Sequence, residues 1–429
     1  MEIASPDMIK QYFKQIIQLW KSNPLFSLIS VLATAFTIAF VMTLYMVYAF
    51  RTADMAPEIN RSRTFYSGDG YSYLTKDRSN ANRGMSKSVA EKIFGNLKNA
   101  ETVSYIVNKG EGVGFVGTSP ANREKRIVSP VDPDYFRIFR FDFLAGNPLT
   151  DEQFDAQSKV AVITDKLALG LFGGVDEAMG KTITIGFNDH RVVGVVKSVS
   201  SLFNKAYSDV WIVADKLSMD WGQEYSEGLR GMCRVVVLAK KGVSPGKLRA
   251  EIEENIKKLN DGLRDFTFEL KMSSHPQASF FGDKIAHPAR IIVILILILL
   301  VVPAINMSGL LSTQMKKRNE EIGVRKAYGA SNGQVGRQLL FENLMLTLVG
   351  GVAGLLLSFA AVALFKNRLL ADLMTVNASE SFSLPASAFF NPWLFVLMLL
   401  FCLFINLLSA IVPVWNASRT TIIETIKGA

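Results

Sequence analysis

The chain is poor in the residues that most metal and redox chemistry requires. It has two cysteines and three histidines in 429 residues. Cys402 lies in an apolar run near the C-terminus and Cys233 in a mixed stretch further upstream, and two such positions build neither a disulfide framework nor a zinc set. His190, His275 and His287 show no metal-ligand spacing with a second His, Cys or carboxylate. No G-x-S-x-G elbow is present. Carboxylates are plentiful, but no pair of them stands out for acid–base work. The expectation is a non-catalytic chain without metal or cofactor.

Charge is also missing, and in a pattern. Four long segments carry almost none: Leu25–Phe50, Ile291–Leu311, Leu339–Phe365 (with Glu342 alone, near one end) and Trp393–Val414. A helix needs about 20 apolar residues to cross ~30 Å of hydrocarbon, and each segment is long enough. The first run exceeds the 7–15 residues of a cleavable signal core and is read as an uncleaved anchor. Ile9, Phe13, Ile16 and Trp20 share a helical face before it, so residues 1–24 are expected to hold an interfacial helix.

What charge there is sets the topology. Lys316, Lys317, Arg318, Arg325, Lys326 and Arg337 crowd the loop between the second and third runs, whereas Lys366 and Arg368 alone mark the next loop. The positive-inside rule then puts both termini and the 312–338 loop in the cytoplasm, and residues 51–290 and 366–392 outside, with a tail at 415–429. The net charge of +9 is concentrated beside the membrane, where topology and anionic lipid account for it. No nucleic-acid partner is expected.

Residues 51–290 read as a water-exposed α+β domain. Two strand–helix–strand units bracket it. The first runs from an extended stretch near Arg63–Tyr66, through a helix near Ser88–Lys98 with Ser88 and Glu91 at capping-box spacing, to a strand near Thr102–Val107. The second has a strand at Arg234–Ala239, a helix over Ser244–Leu259 opened by Pro245, and a strand at Phe266–Lys271. Val160–Thr164, Thr182–Gly186, His190–Ser198 and Val210–Val213 are short and β-branched, and predict an inserted β-rich subdomain. Asn60–Asn82, rich in Ser, Arg, Asn and Gly, is the stretch expected to be least ordered.

Two motifs imitate nucleotide sites. Gly112, Gly114 and Gly117 spell G-x-G-x-x-G, but turn sequence follows where a helix should open, so a glycine-rich hairpin is expected. Gly174–Thr182 approximates a P-loop with the spacing off by one, and is read as a helix end turning into a strand. Inside the apolar runs, Asn306 and Asn406 are expensive in lipid and are expected to face the helix bundle and bond across it. Pro303 predicts a kink. Gly350, Gly351 and Gly354 predict close helix approach.

The most informative stretch is Lys316–Gly336. A loop that only connected two spans would not need Ile322, Val324, Ala327 and Tyr328 among its charges. It reads as a short helix on the membrane face, able to seat in a groove of a cytoplasmic partner. Glu321-Ile322-Gly323, Arg325-Lys326-Ala327 and Gly329-Ala330-Ser331 resemble the signature loop of the MacB/FtsX-like ABC permease family. The resemblance continues to Pro413 and the tail Ala417–Gly428. In the outer domain it takes in Val128-Ser129-Pro130, Tyr135-Phe136, Leu144-Ala145-Gly146 and Gly194-Val195-Val196, in family order.

The resemblance implies a permease half in a bacterial inner membrane. It would dimerise with itself or a paralogue and dock a separate ATP-hydrolysing subunit through Glu321, Ile322, Gly323, Val324, Arg325, Lys326, Ala327, Gly329 and Ala330. Motion would pass through the spans to the outer domain, for export or extraction of a peptide, lipoprotein, lipid or antibiotic, with a periplasmic adaptor or outer-membrane partner. The family also includes FtsX-like signalling proteins that regulate a cell-wall hydrolase, and the resemblance leaves that role as the alternative. A membrane enzyme with its site in the outer domain is the third alternative.

Overall fold

The computed structural model describes residues 24–107, 112–119, 122–199, 203–221, 226–280 and 327–370, and single helical positions among 290–301, 323–324 and 393–415. These fall into two compact units. One lies within Arg51–Pro288, and the other contains most of the first helix and the long helix near the C-terminal end.

Helix α1 spans Pro24–Thr52. The outer unit then begins with strands β1 (Thr64–Ser67), β2 (Tyr71–Leu74) and β3 (Asn82–Arg83), helix α2 (Lys87–Phe94) and strand β4 (Ala100–Val107). The helix N-cap is Ser86, whose hydroxyl accepts from Val89 N at 3.2 Å. The Ser88–Glu91 capping box is therefore displaced by two residues, and Ser88 Oγ bonds Asp220 instead. Val89, Ala90, Ile93 and Phe94 bury the inner stripe.

The middle of the domain holds strands β5 (Val113–Ser119) and β6 (Asn122–Val131), helix α3 (Asp134–Ile138), β7 (Phe143–Gly146), α4 (Asp151–Asp155), β8 (Val160–Thr164), α5 (Asp165–Phe172), α6 (Val175–Ala178), β9 (Thr182–Ile185), β10 (Asn188–Val196), β11 (Val210–Val213) and α7 (Lys216–Met219). Their pairing runs β7-β10-β8-β11-β6-β5-β9, and β9 returns to β10, so six of the strands close on themselves. Closure removes free strand edges. Val116, Ile163, Ile183, Val192, Val195 and Val210 fill the interior. The G-x-G-x-x-G stretch is the β5–β6 hairpin, and the P-loop-like stretch is α6 turning into β9.

The chain ends its outer excursion with β12 (Cys233–Ala239), α8 (Pro245–Asp261), β13 (Phe266–Glu269), β14 (Met272–Ser274) and α9 (His275–Phe280). A four-stranded sheet orders β14-β1-β12-β4, with α2 and α8 packed together on its core cluster. The two bracketing units thus share one layer. The second does not close as a simple β–α–β unit, however. β13 pairs with β2 in a separate three-stranded sheet, and β14 takes the place beside β1. Asn60–Asn82, expected to be loose, carries β1 and β2 and the buried Arg61, which pairs with Glu58 just before it. Several of its polar side chains bond other segments, as Tyr73 and Arg78 do with Glu269.

Asp132, just after β6, ties the barrel to β4. Its carboxylate accepts from Ser104 Oγ (2.6 Å), Tyr105 N (2.7 Å) and Tyr135 N (3.1 Å). Burial pushes its pKa up from 3.8 to about 7, against hydrogen bonds that favour the ionised form. The folded domain therefore holds a proton that the unfolded chain releases near pH 4. Between about pH 4 and 7 unfolding releases that proton, so this group's contribution to stability falls as pH rises across the window. Thermal melts from pH 4.5 to 7.5 should show this slope in the parent and a flatter one in Asp132→Asn. Parallel slopes in the two proteins would contradict it.

In the other unit, α10 (Asn332–Leu370) follows a break at Gly329. Within α1 and α10, Ser27–Ala49 and Asn332–Leu364 are the stretches among the described residues long and apolar enough to cross a membrane. Ile38, Val41, Met42, Met46 and Val362 form their shared core. Ile296, Leu299, Leu399 and Phe401, from the second and fourth apolar runs, pack against it.

Candidate functional site

The N-terminal end of α10 is formed by a short helical turn and a cap. Gly323, Val324 and Ala327 are helical, and Tyr328 N bonds Val324 O at 3.1 Å. Gly329 then takes φ +93°, a left-handed backbone that glycine enters without a Cβ clash. The turn is stopped there, and Ser331 opens α10: Gln334 N bonds Ser331 Oγ at 3.3 Å while Ser331 N bonds Gln334 Oε1 at 2.9 Å. This reciprocal cap starts the helix seven residues before the run that hydropathy marks at Leu339, and takes Arg337 into it. Tyr328 is 91% exposed and Val324 is exposed beside it. Ala330 lies between Gly329 and the capping serine. Glu321, Ile322, Arg325 and Lys326 lie outside the described residues, as do Asn306 and Asn406.

Further along α10 the two long helices approach closely. A Cβ on Gly350 would stand 2.7 Å from Thr34 Cβ, and one on Gly354 would stand 2.5 Å from the Ala35 carbonyl oxygen. Only glycine lets the backbones come this near. Glu342, Asn343 and Thr347 of α10, and Ser27, Ser30 and Thr34 of α1, are buried.

The second cluster lies in the outer unit, where the chain leaves α1 and where it returns towards the second apolar run. Glu58 and Arg61 are each 2% exposed and His275 is 1% exposed. Arg61 Nε donates to Glu58 Oε2 at 2.6 Å, and Arg61 Nη1 to the Ala53 carbonyl at 3.1 Å. The guanidinium lies 4.7 Å from the centre of the Phe203 ring. Glu58 Oε1 accepts from Lys205 N (3.1 Å) and Ala206 N (3.0 Å). His275 completes the knot. Its Nδ1 meets Tyr66 Oη at 3.0 Å, and its Nε2 meets Arg51 O at 3.2 Å and Ser279 Oγ at 3.0 Å. Arg51 Nη1 in turn donates to Ser279 O at 2.9 Å.

A neutral ring satisfies this set: Nε2–H donates to Arg51 O and Tyr66 O–H donates to Nδ1. Burial, with the positive Arg61 and Lys205 nearby, lowers the His275 pKa to about 3. Glu58 Oε2 is 3.6 Å from Nε2 and already bonded to Arg61, so it does not reverse that direction. Burial also raises the Tyr66 hydroxyl, with Glu58 adding to it. Neither group titrates near neutral pH, so the knot is a fixed clamp and not an acid–base pair. It joins residues 51–61, β1, the 203–206 segment and α9. Sequence reading missed it because its members are far apart in the chain. The signals that exist are local and weak: Glu58 and Arg61 three apart, His275 and Ser279 four apart. Among the described residues no three His, Cys, Asp or Glu side chains are grouped to hold a metal ion.

Comparison with known proteins gives this geometry a family. The model for the MacB-like periplasmic core domain matches residues 27–255, and that for the FtsX-like permease C-terminal matches residues 292–422. Among curated relatives, the macrolide export ATP-binding/permease protein MacB 1 of Yersinia pestis is 30% identical over 54% of this chain and 35% of its own length. The uncharacterized ABC transporter permease YknZ of Bacillus subtilis is 24% identical over 68% of this chain and 72% of its own. The chain thus spans about a third of the length of the MacB relatives it matches. Among solved structures, the periplasmic region of MacB from Actinobacillus actinomycetemcomitans aligns at 15% identity and TM-score 0.37, over 52% of this chain and 94% of that one. With family models covering both its outer domain and its C-terminal helices, the chain belongs to the MacB/FtsX-like family of ABC transporter permeases.

Proposed function

We propose that this permease subunit relays ATP-driven motion of a separate ATPase to its outer domain, which acts on a peptide, lipoprotein, lipid or antibiotic outside the membrane. The observation that carries the reading is a set of close contacts within each unit, joined by helix α1. The exposed Val324–Tyr328 turn is capped directly into α10. Glycines seat α10 on α1. α1 runs without interruption to Arg51, whose carbonyl is held by His275. A mechanical relay requires stiffness at each joint, and the joints here are a helix cap, glycine-mediated helix packing and a side-chain hydrogen bond to a backbone carbonyl. The permease works as a dimer, with itself or a paralogue, so that closure of two ATPases has two coupling turns to push on. The driving requirement is that the closed ATPase pair binds one arrangement of the helices better than the other. An adaptor or an outer-membrane component would receive the cargo.

The test is reconstitution of the full chain with its ATPase in lipid vesicles. Glu321→Arg and Arg325→Glu should each abolish permease-dependent stimulation of ATP hydrolysis, roughly tenfold or more for loss of a buried charge contact, with normal membrane insertion. Normal stimulation in both variants would sink the coupling assignment. Stimulation that drives a cell-wall hydrolase instead of cargo release would assign the relay to signalling.

A further inference from the structure

The outer face of the barrel carries an aromatic–cation patch that the relay does not use. Phe187, at the β9–β10 turn after Gly186 (φ +61°), is 96% exposed. Phe115 on β5 is exposed and bound to the same turn, since Gly186 N donates to Phe115 O at 2.9 Å. In the β5–β6 register Lys125 stands opposite Phe115, and Arg123 opposite Gly117. Val116 points to the interior, so its neighbour Phe115 and the opposed Lys125 face outward. The Arg123 guanidinium bonds the Gly186 carbonyl and sits 5.7 Å from the Phe187 ring centre. Two phenyl rings and two cations therefore share one small surface, and one cation is already stacked and fixed.

We infer that this face, Phe115, Phe187, Arg123 and Lys125, is a docking surface for a second protein that presents carboxylates around an apolar socket. A fully exposed phenylalanine held by an ordered arginine has the composition of an interface anchor, in which aromatic and arginine side chains dominate. The charge decides the partner. Glu124 is paired with Arg126. Asp189, hydrogen-bonded to Thr184 Oγ1 at 2.8 Å, stands three strands from Arg123 in the same row, about 14 Å at ordinary strand spacing. The patch itself is positive. A two-fold contact between copies of this chain would set Arg123 and Lys125 against themselves, which disfavours a second copy. Anchoring to anionic lipid draws on clusters of about 4–8 basic residues, more than the two here.

The test places a photoreactive benzoyl-phenylalanine at Phe187 in the full chain in its native membrane. A matched probe goes at Leu217, which is 81% exposed elsewhere on the domain. The expected result is one adduct from position 187, to a chain other than this one, with the crosslinked peptide rich in Asp and Glu. Its yield should fall about tenfold in Lys125→Glu, a change of ~1.4 kcal/mol, and hold in Lys125→Arg. An adduct to a second copy or to lipid would overturn the inference. So would equal adducts from Leu217, a yield indifferent to Lys125→Glu, or no adduct at all. Unchanged ATPase stimulation in Lys125→Glu shows that the variant is folded, and keeps failure here separate from failure of the relay.

Discussion

Replacing Arg61 with methionine should cost the outer domain about 3–5 kcal/mol, the range for removing one member of a buried ion pair. Methionine matches much of the arginine's volume and leaves the Phe203 contact apolar, so little of the loss comes from a cavity. The loss comes from Glu58, which at 2% exposure keeps its hydrogen bonds from Lys205 N and Ala206 N but loses its cation. The Ala53 carbonyl loses its donor as well. For a domain of this size the midpoint of thermal unfolding should fall by roughly 6–20 °C. The measurement is a thermal melt of the full chain in detergent. The double variant Glu58→Gln, Arg61→Met should recover a large part of the loss, because the stranded charge is then gone. A single variant within 1 kcal/mol of the parent, or a double variant no better than the single, would show that the pair is not the clamp described.

Enlarging Gly354 should disconnect the relay while sparing the fold of the outer domain. The Ala35 carbonyl oxygen is 2.5 Å from where a Cβ would sit, and Ile38 Cβ is 2.9 Å away. A backbone oxygen on a helix cannot turn aside as a side-chain tip can, so leucine at 354 must push α10 off α1. Overpacking of this kind costs about 1–3 kcal/mol, and the glycine-mediated approach is lost outright. Gly354→Leu should therefore insert into the membrane and melt normally in its outer domain, yet fail to stimulate its ATPase. Gly354→Ala should show a partial defect. Leu356→Phe, on an exposed position of the same helix, should behave as the parent. Full stimulation by Gly354→Leu would remove the helix contact from the relay.

The two predictions address different joints, and the sequence reveals them unequally. The glycines at 350, 351 and 354 stand out in an apolar run, because small residues in a spanning helix have few purposes. The coupling turn stands out as well, since Val324 and Tyr328 are apolar residues in a basic loop. The true start of α10 was not legible from hydropathy, because Asn332, Gln334, Arg337 and Gln338 break the apolar pattern before Leu339. The cap that starts the helix is a short-range hydrogen-bond pair between Ser331 and Gln334. Likewise Ser88 offered a better capping box on paper than Ser86. Ser86 took the position because Ser88 turns to Asp220 far along the chain.

By itself, the sequence determined four apolar runs, the basic residues clustered beside them, the outer α+β domain and the family. These follow from local quantities: hydropathy over about 20 residues, charge beside the runs, and the periodicity of single elements. The tertiary structure alone decided which strands pair. It placed β13 with β2 and gave β14 the position beside β1. It closed six strands into a barrel, and it brought Glu58 and Arg61 against His275. Those arrangements depend on contacts between residues far apart in the chain, as when the Lys205 and Ala206 N–H groups meet the buried Glu58 that Arg61 pairs with locally. A stretch as polar as Asn60–Asn82 reads as loose in sequence for that reason, and in the fold it forms β1 and β2.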